Sequence, residues 1–265
     1  MHQKEKFLRF VENICNDRNL GNINNKVLLD FGSGAGKLTK MFVDMGINCY
    51  GIDFYPKERF IEKPAFEEKY NEKSSIKGKK FIPDFCYNVL TEDNQYKIPF
   101  ESNYFDILFS NNVFEHVMNY DDTLAEMSRV TKKNGISIHF FPSKYRFMES
   151  HVLIPGATVF QNIHYLRLMT WYSRKKYKGP DFDHLSNKEL AFKHYNKLKN
   201  GCNYLDGKTI LNKARKNFST AYFADEEFFK LWPGNIRKLY KIGKVMPFIF
   251  KLHSIFRMKI LFMQK

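Results

Sequence analysis

The stretch LLDFGSGAGKLTKMF at residues 28–42 constrains this chain more than any other. A short apolar run ending at Asp30 and Phe31 reads as a buried strand. Gly32, Gly34 and Gly36 follow at alternate positions, with Ser33 between the first two. Leu38, Met41, Phe42 and Met45 then recur at i, i+3, i+4, i+7, the period of an amphipathic helix, and Gly46 can end it. A strand, a glycine turn and a helix aim free backbone N–H groups at a ligand. Spacing separates the classes that share this device. A Walker loop needs GxxxxGK[ST], but Phe31 stands at its first glycine and Leu38 follows Lys37. A dinucleotide fingerprint needs GxGxxG, and here the third glycine comes one position early.

The remaining pattern extends this unit. Residues 3–17 read as an amphipathic helix, 47–53 as a second strand, and 61–80 as loop with one helical turn. A third strand falls within 81–89, a fourth at 104–110 and a fifth at 136–141, with a helix over 121–135 between the last two. Strands alternating with helices predict a parallel sheet. Beyond Pro142 the pattern is mainly helical. SNKE at 186–189 is a capping box, 218–223 suits a returning strand, and 236–265 reads as basic, apolar terminal helices. The expected fold is α/β: a Rossmann-like, mostly parallel sheet flanked by helices, with a mainly helical C-terminal cap. The expected units are a core at 1–142, an acceptor-binding cap at 143–235 and the terminal helices.

Asp30–Gly36, D-x-G-x-G-x-G, resembles motif I of class I S-adenosylmethionine-dependent methyltransferases. Three further features match in order: Asp53 closing the second strand, IPFESNYFDILFSNNVFEHV at 98–117 and LAEMSRVTKKNGISIHFFP at 124–142. The resemblance covers roughly residues 25–142. It implies S-adenosylmethionine as cofactor and S-adenosylhomocysteine as product. It implies cofactor contacts from Asp30, Gly32, Ser33, Gly34, Gly36, Asp53, Phe54, Asn88, Val89 and Asn111. Asp53 is expected on the ribose diol, since a carboxylate accepts two hydrogen bonds from vicinal hydroxyls. Asn88 stands where the family often has aspartate near the adenine amino group. Asp30 either braces the loop or attracts the cofactor's cationic end.

A sulfonium methyl needs an aligned nucleophile and exclusion of water. His116, in FEHV, is either catalytic or bonded to backbone. Glu149 and His151 are a base pair or an acceptor clamp, and Tyr145, with Arg146, lines the acceptor pocket. No His/Asp/Glu spacing demands a metal. Charge is uneven: residues 1–142 carry 19 Lys/Arg and 20 Asp/Glu, while 143–265 carry 24 and 8. The second half therefore suits an anionic acceptor, such as a phosphorylated, phosphoramidate-bearing or nucleotide-linked sugar or a surface-glycan precursor. RNA methylation is the alternative, although no NPPY-type tetrapeptide stands at SNNV, and a non-enzymatic cofactor-binding or membrane-attached protein is a third. Residues 236–265 hold eight Lys/Arg and no acid among large apolar residues, suiting either an anionic membrane surface or helices packed on the core. The dispersed cysteines and the absence of a long apolar span predict a reduced, cytoplasmic protein, with attachment at the inner membrane face left open.

Overall fold

The computed structural model describes residues 3–53, 86–88, 96–174 and 183–265. A seven-stranded sheet in the order β3-β2-β1-β4-β5-β7-β6 organises it. The strands are β1 (Val27–Phe31), β2 (Asn48–Asp53), β3 (Cys86–Asn88), β4 (Phe105–Asn111), β5 (Thr131–Pro142), β6 (Thr220–Phe223) and β7 (Met258–Gln264). The first five pair in parallel, and β7 runs antiparallel to both β5 and β6. The helices are α1 (Gln3–Asp17), α2 (Lys37–Asp44), α3 (Tyr120–Val130), α4 (Ile163–Arg174), α5 (Asn187–Gly201), α6 (Gly207–Ala214), α7 (Asp225–Leu231), α8 (Ile236–Val245) and α9 (Phe248–Phe256).

Each sheet face has its own core. On one, Phe7 and Phe10 of α1 and Phe42 of α2 meet Phe109, Phe140 and Phe228. Phe10 lies 5.3 Å from both Phe140 and Trp232, contacts that add about 0.5–1.5 kcal/mol each beyond burial. On the other face, α3 and α6 cover Leu29, Leu108 and Leu261. A third, smaller core joins Val152, Ile154, Leu166, Leu198 and Tyr204, where α4 and α5 pack over the segment after β5.

Several expectations shift. The capping box at Ser186 and Glu189 opens α5, with both reciprocal bonds present. The returning strand is β6, but the sheet does not end at Pro142. Met258–Gln264, expected as helix, is β7, and Ile260–Met263 are buried. A fully buried strand reads as an unbroken apolar run, which periodicity cannot distinguish from buried helix. The core therefore reclaims 207–264, and the cap narrows to the segment bearing α4 and α5. α3 also stops at Val130 rather than 135. Thr131 pairs with Phe105, and a register shift between Phe105 and Ile107 takes up the extra residues of β5. The expected loop at 61–80 lies outside the described residues, as do 81–85 and 89 of the third-strand segment.

Candidate active site

The glycine loop leaves the carboxyl end of β1 and enters α2. Asp30 is buried, and Thr39 Oγ1 donates to its Oδ2 at 2.7 Å. The amides of Gly32 and Ser33 donate to Ile52 O at 2.8 and 3.0 Å, and that of Gly36 to Ser33 O at 2.9 Å. The Gly34 amide donates to Asp53 Oδ2 at 2.5 Å. These four amides, expected to face a ligand, bind protein acceptors instead. Gly32 has φ +78°, and a Cβ there would lie 2.3 Å from Val113 Cγ2. Its glycine thus serves loop shape and close packing. Beside the loop opens a cavity of about 330 Å³, lined by Asp30, Gly32, Ser33, Lys37, Leu38 and Asn111.

A second group of side chains lies past the same ends of β4 and β5. After Asn111 the chain passes Val113, against Gly32, and turns through a 3-10 helix at Phe114–His116. His116 Nδ1 donates to Gly201 O at the end of α5. Beyond β5, Glu149 is buried in a turn where it accepts from the amides of His151 and Val152, each at 2.6 Å. His151 Nδ1 donates to Glu149 Oε1 at 2.6 Å, and Tyr204 OH donates to the same oxygen at 2.6 Å. Cys202 Sγ lies 3.7 Å from His151 Nδ1, and the His116 and His151 rings meet edge to face at 4.7 Å. Glu115 is buried, and its Oε2 has no hydrogen-bond partner among the described residues.

Residues 29–139 match the family model described as a methyltransferase domain. These residues hold most of the parallel strands β1 to β5, the parallel sheet that the alternating strands and helices predicted. Over these residues the chain carries a methyltransferase domain. Among solved structures, an S-adenosylmethionine-dependent methyltransferase from Mesorhizobium loti is similar, at 9% identity and TM-score 0.46, over 95% of this chain and 96% of that one. A putative sarcosine dimethylglycine methyltransferase from Galdieria sulphuraria is similar at 14% identity and TM-score 0.42, over 97% and 84%. Geranyl diphosphate C-methyltransferase from Streptomyces coelicolor gives 12% and 0.43, over 96% and 76%. Curated proteins gave no match.

Electrostatics divides the methyltransferase site in two. Burial raises the Asp30 carboxyl to about 7, against the Thr39 bond and with Asp53 adding to the rise. His151 is pushed up to about 10, by its bond to Cys202 and then by Glu149. Burial works to raise Glu149, but the bonds from His151, Tyr204 and the Val152 amide outweigh it and hold the carboxyl below its ordinary range. Cys202 is likewise held down, burial being overcome by the two histidines. The protonated form of His151 is thus favoured where it sits on the buried Glu149 carboxylate.

The structure brings Asp30, Gly32, Ser33 and Asn111 to the methyltransferase cavity and gathers His116, Glu149 and His151 at the second group. Gly34, Gly36 and Asp53 do not line the cavity; Gly36 caps α2 and Asp53 grips the loop through Gly34. Asn88 is placed only as backbone, paired with Asp53 across β3 and β2. Phe54 and Val89 lie outside the described residues. Tyr145 does not join the cluster: its side chain is 48% exposed, and Tyr204 supplies the phenol instead. Lys37, Glu115, Cys202 and Tyr204 were not singled out from sequence. Only Lys37 carried a local signal, its position opening the helix after the loop. Nitrogen and sulfur donors such as those of His116, His151 and Cys202 also suit zinc. The described geometry is a hydrogen-bonded network in which both Nδ1 atoms already meet protein acceptors.

Proposed function

We propose that the protein O-methylates a small anionic acceptor, of the class of phosphorylated, phosphoramidate-bearing or nucleotide-linked sugars and surface-glycan precursors. The observation carrying this reading is the buried Glu149 beneath His151. Its bonds to Cys202 and Glu149 favour the protonated ring, which suits holding an anionic group better than taking a proton. An already ionised oxygen needs alignment rather than deprotonation. The Lys/Arg excess of residues 143–265 supports the same choice.

When bound, S-adenosylmethionine supplies a methyl group activated by its sulfonium charge. In this reading Asp30 and Lys37, on one cavity wall, receive the ammonium and carboxylate of its amino-acid end. Asp53 exchanges its bond to Gly34 for the ribose hydroxyls. Asn111 and the turn to His116 join this cavity to the acceptor cluster. His151 fixes the acceptor's anionic group, and the acceptor oxygen attacks the methyl carbon in line as the carbon–sulfur bond breaks.

The test is a labelled-methyl transfer screen over phosphorylated sugars, nucleotide sugars, glycan precursors and RNA. Transfer to an anionic sugar acceptor, abolished by His151→Ala with cofactor affinity intact, is expected. Transfer to RNA alone overturns the assignment.

A further inference from the structure

Helices α8 and α9 each carry two apolar faces, and the fold uses one of each. Inward, Tyr240 stacks on Phe250 at 6.1 Å, and Gly243 is buried so close that a Cβ would lie 2.1 Å from Phe250 Cε1. Outward, Leu239, Ile242 and Met246 follow i, i+3, i+7 along α8 and its cap. Phe248, Leu252 and Phe256 follow i, i+4, i+8 along α9. These six side chains are between 42% and 53% exposed. Scattered exposed apolar residues need no explanation, but two aligned stripes on consecutive helices mark an interaction surface.

The charge around the stripes selects the occupant. Arg237, Lys238, Lys241, Lys244, Lys251 and Arg257 are exposed, and residues 236–257 contain no Asp or Glu. Lys244 reaches Glu226 of α7 at 3.4 Å, which leaves the others to define the rim. A second copy would bring an equally cationic surface against this one, in a chain of net charge +15. An anionic bilayer offers a negative plane for the bases and an apolar layer for the stripes. No helix among the described residues is long and apolar enough to cross a membrane, so these helices would lie in the interface plane.

We propose that α8 and α9 form a docking surface for anionic lipid membranes. This does not rest on the acceptor proposed above, because docking needs neither cofactor nor acceptor. It also differs from a terminal anchor, since β7 follows directly and belongs to the sheet.

Flotation of the full chain with phosphatidylcholine vesicles, with and without phosphatidylglycerol, tests it. Binding is expected to the anionic vesicles, falling as salt rises. Lys238→Glu/Lys241→Glu/Lys251→Glu is expected to lower partitioning by at least on the order of 100-fold, from about fivefold per base removed near the surface. Ile242→Ser/Phe248→Ser/Leu252→Ser is expected to abolish it, with unfolding temperature and cofactor affinity unchanged. The salt series on the unaltered chain needs no variant. Absence of flotation, flotation indifferent to lipid charge, or flotation unaffected by both variants overturns the proposal. So does lipid-independent dimerisation, seen by light scattering and lost in the serine variant, because it assigns the surface to a second copy.

Discussion

Glu149 and His151 share a 2.6 Å hydrogen bond inside a turn whose amides also bind the same carboxylate. The carboxylate is fully buried, so its ionisation depends on those donors. Glu149→Gln keeps the shape and removes the charge. Breaking a buried pair from one side typically costs about 3–5 kcal/mol. A lower unfolding temperature is expected, together with weaker acceptor binding and unchanged cofactor affinity by calorimetry. Unchanged acceptor KM in a folded variant removes the clamp role.

The same pair sets a pH dependence. His151 is raised in the folded state, so its contribution to stability is complete below its ordinary value near 6.5 and lost as pH rises through about 10. Denaturation midpoints are expected to fall across that window, and acceptor affinity to fall near its upper end. His151→Ala is expected to flatten both, and a nuclear magnetic resonance titration of the ring gives the midpoint directly.

Asp30 acts in the same direction over a lower pH range. It keeps its proton to about pH 7 when folded and loses it near 3.8 when unfolded. Between those values the folded state binds more protons, so stability declines as pH rises. Asp30→Asn is expected to remove that slope. Cofactor binding near pH 6 is expected to release a proton as a cationic ammonium meets Asp30, which calorimetry in buffers of different ionisation heat detects. Identical proton release in Asp30→Asn assigns the proton elsewhere.

Gly32→Ala meets two penalties, a strained φ of +78° and a Cβ 2.3 Å from Val113. A loss of cofactor affinity is expected, with destabilisation of about 1–3 kcal/mol. Adding Val113→Ala relieves the clash and not the backbone strain, so partial rescue is the expected result by calorimetry and thermal melts.

Truncation after Arg257 removes β7, which pairs with both β5 and β6 and buries Ile260–Met263. Insoluble or unfolded product is expected, as read by circular dichroism and gel filtration. A folded truncation would mean that β7 is dispensable.

The local devices were legible because each depends on residues only a few positions apart. The strand, glycine turn and helix around Asp30–Phe42, the capping box at Ser186 and Glu189, and the charge imbalance between the halves all have short-range signatures. They were sufficient to place most of the first five strands along the chain, and the resemblance carried by the glycine turn implied the cofactor. Glu149 and His151 could be paired because they are near neighbours in sequence, and the structure joins them by a turn.

The rest was decided by tertiary structure. Cys202 and Tyr204 reach His151 because α5 returns across the end of β5, and His116 finds Gly201 by the same return. No spacing along the chain encodes that meeting. The glycine-loop amides turned inward because Ile52 and Asp53 of the neighbouring strand supplied acceptors, which depends on register. Residues 258–264 became a strand because the β5 edge offered unpaired backbone groups, which an apolar run satisfies there. Local pattern sets what each segment can become, and the partners that the sheet brings alongside set which of those it is.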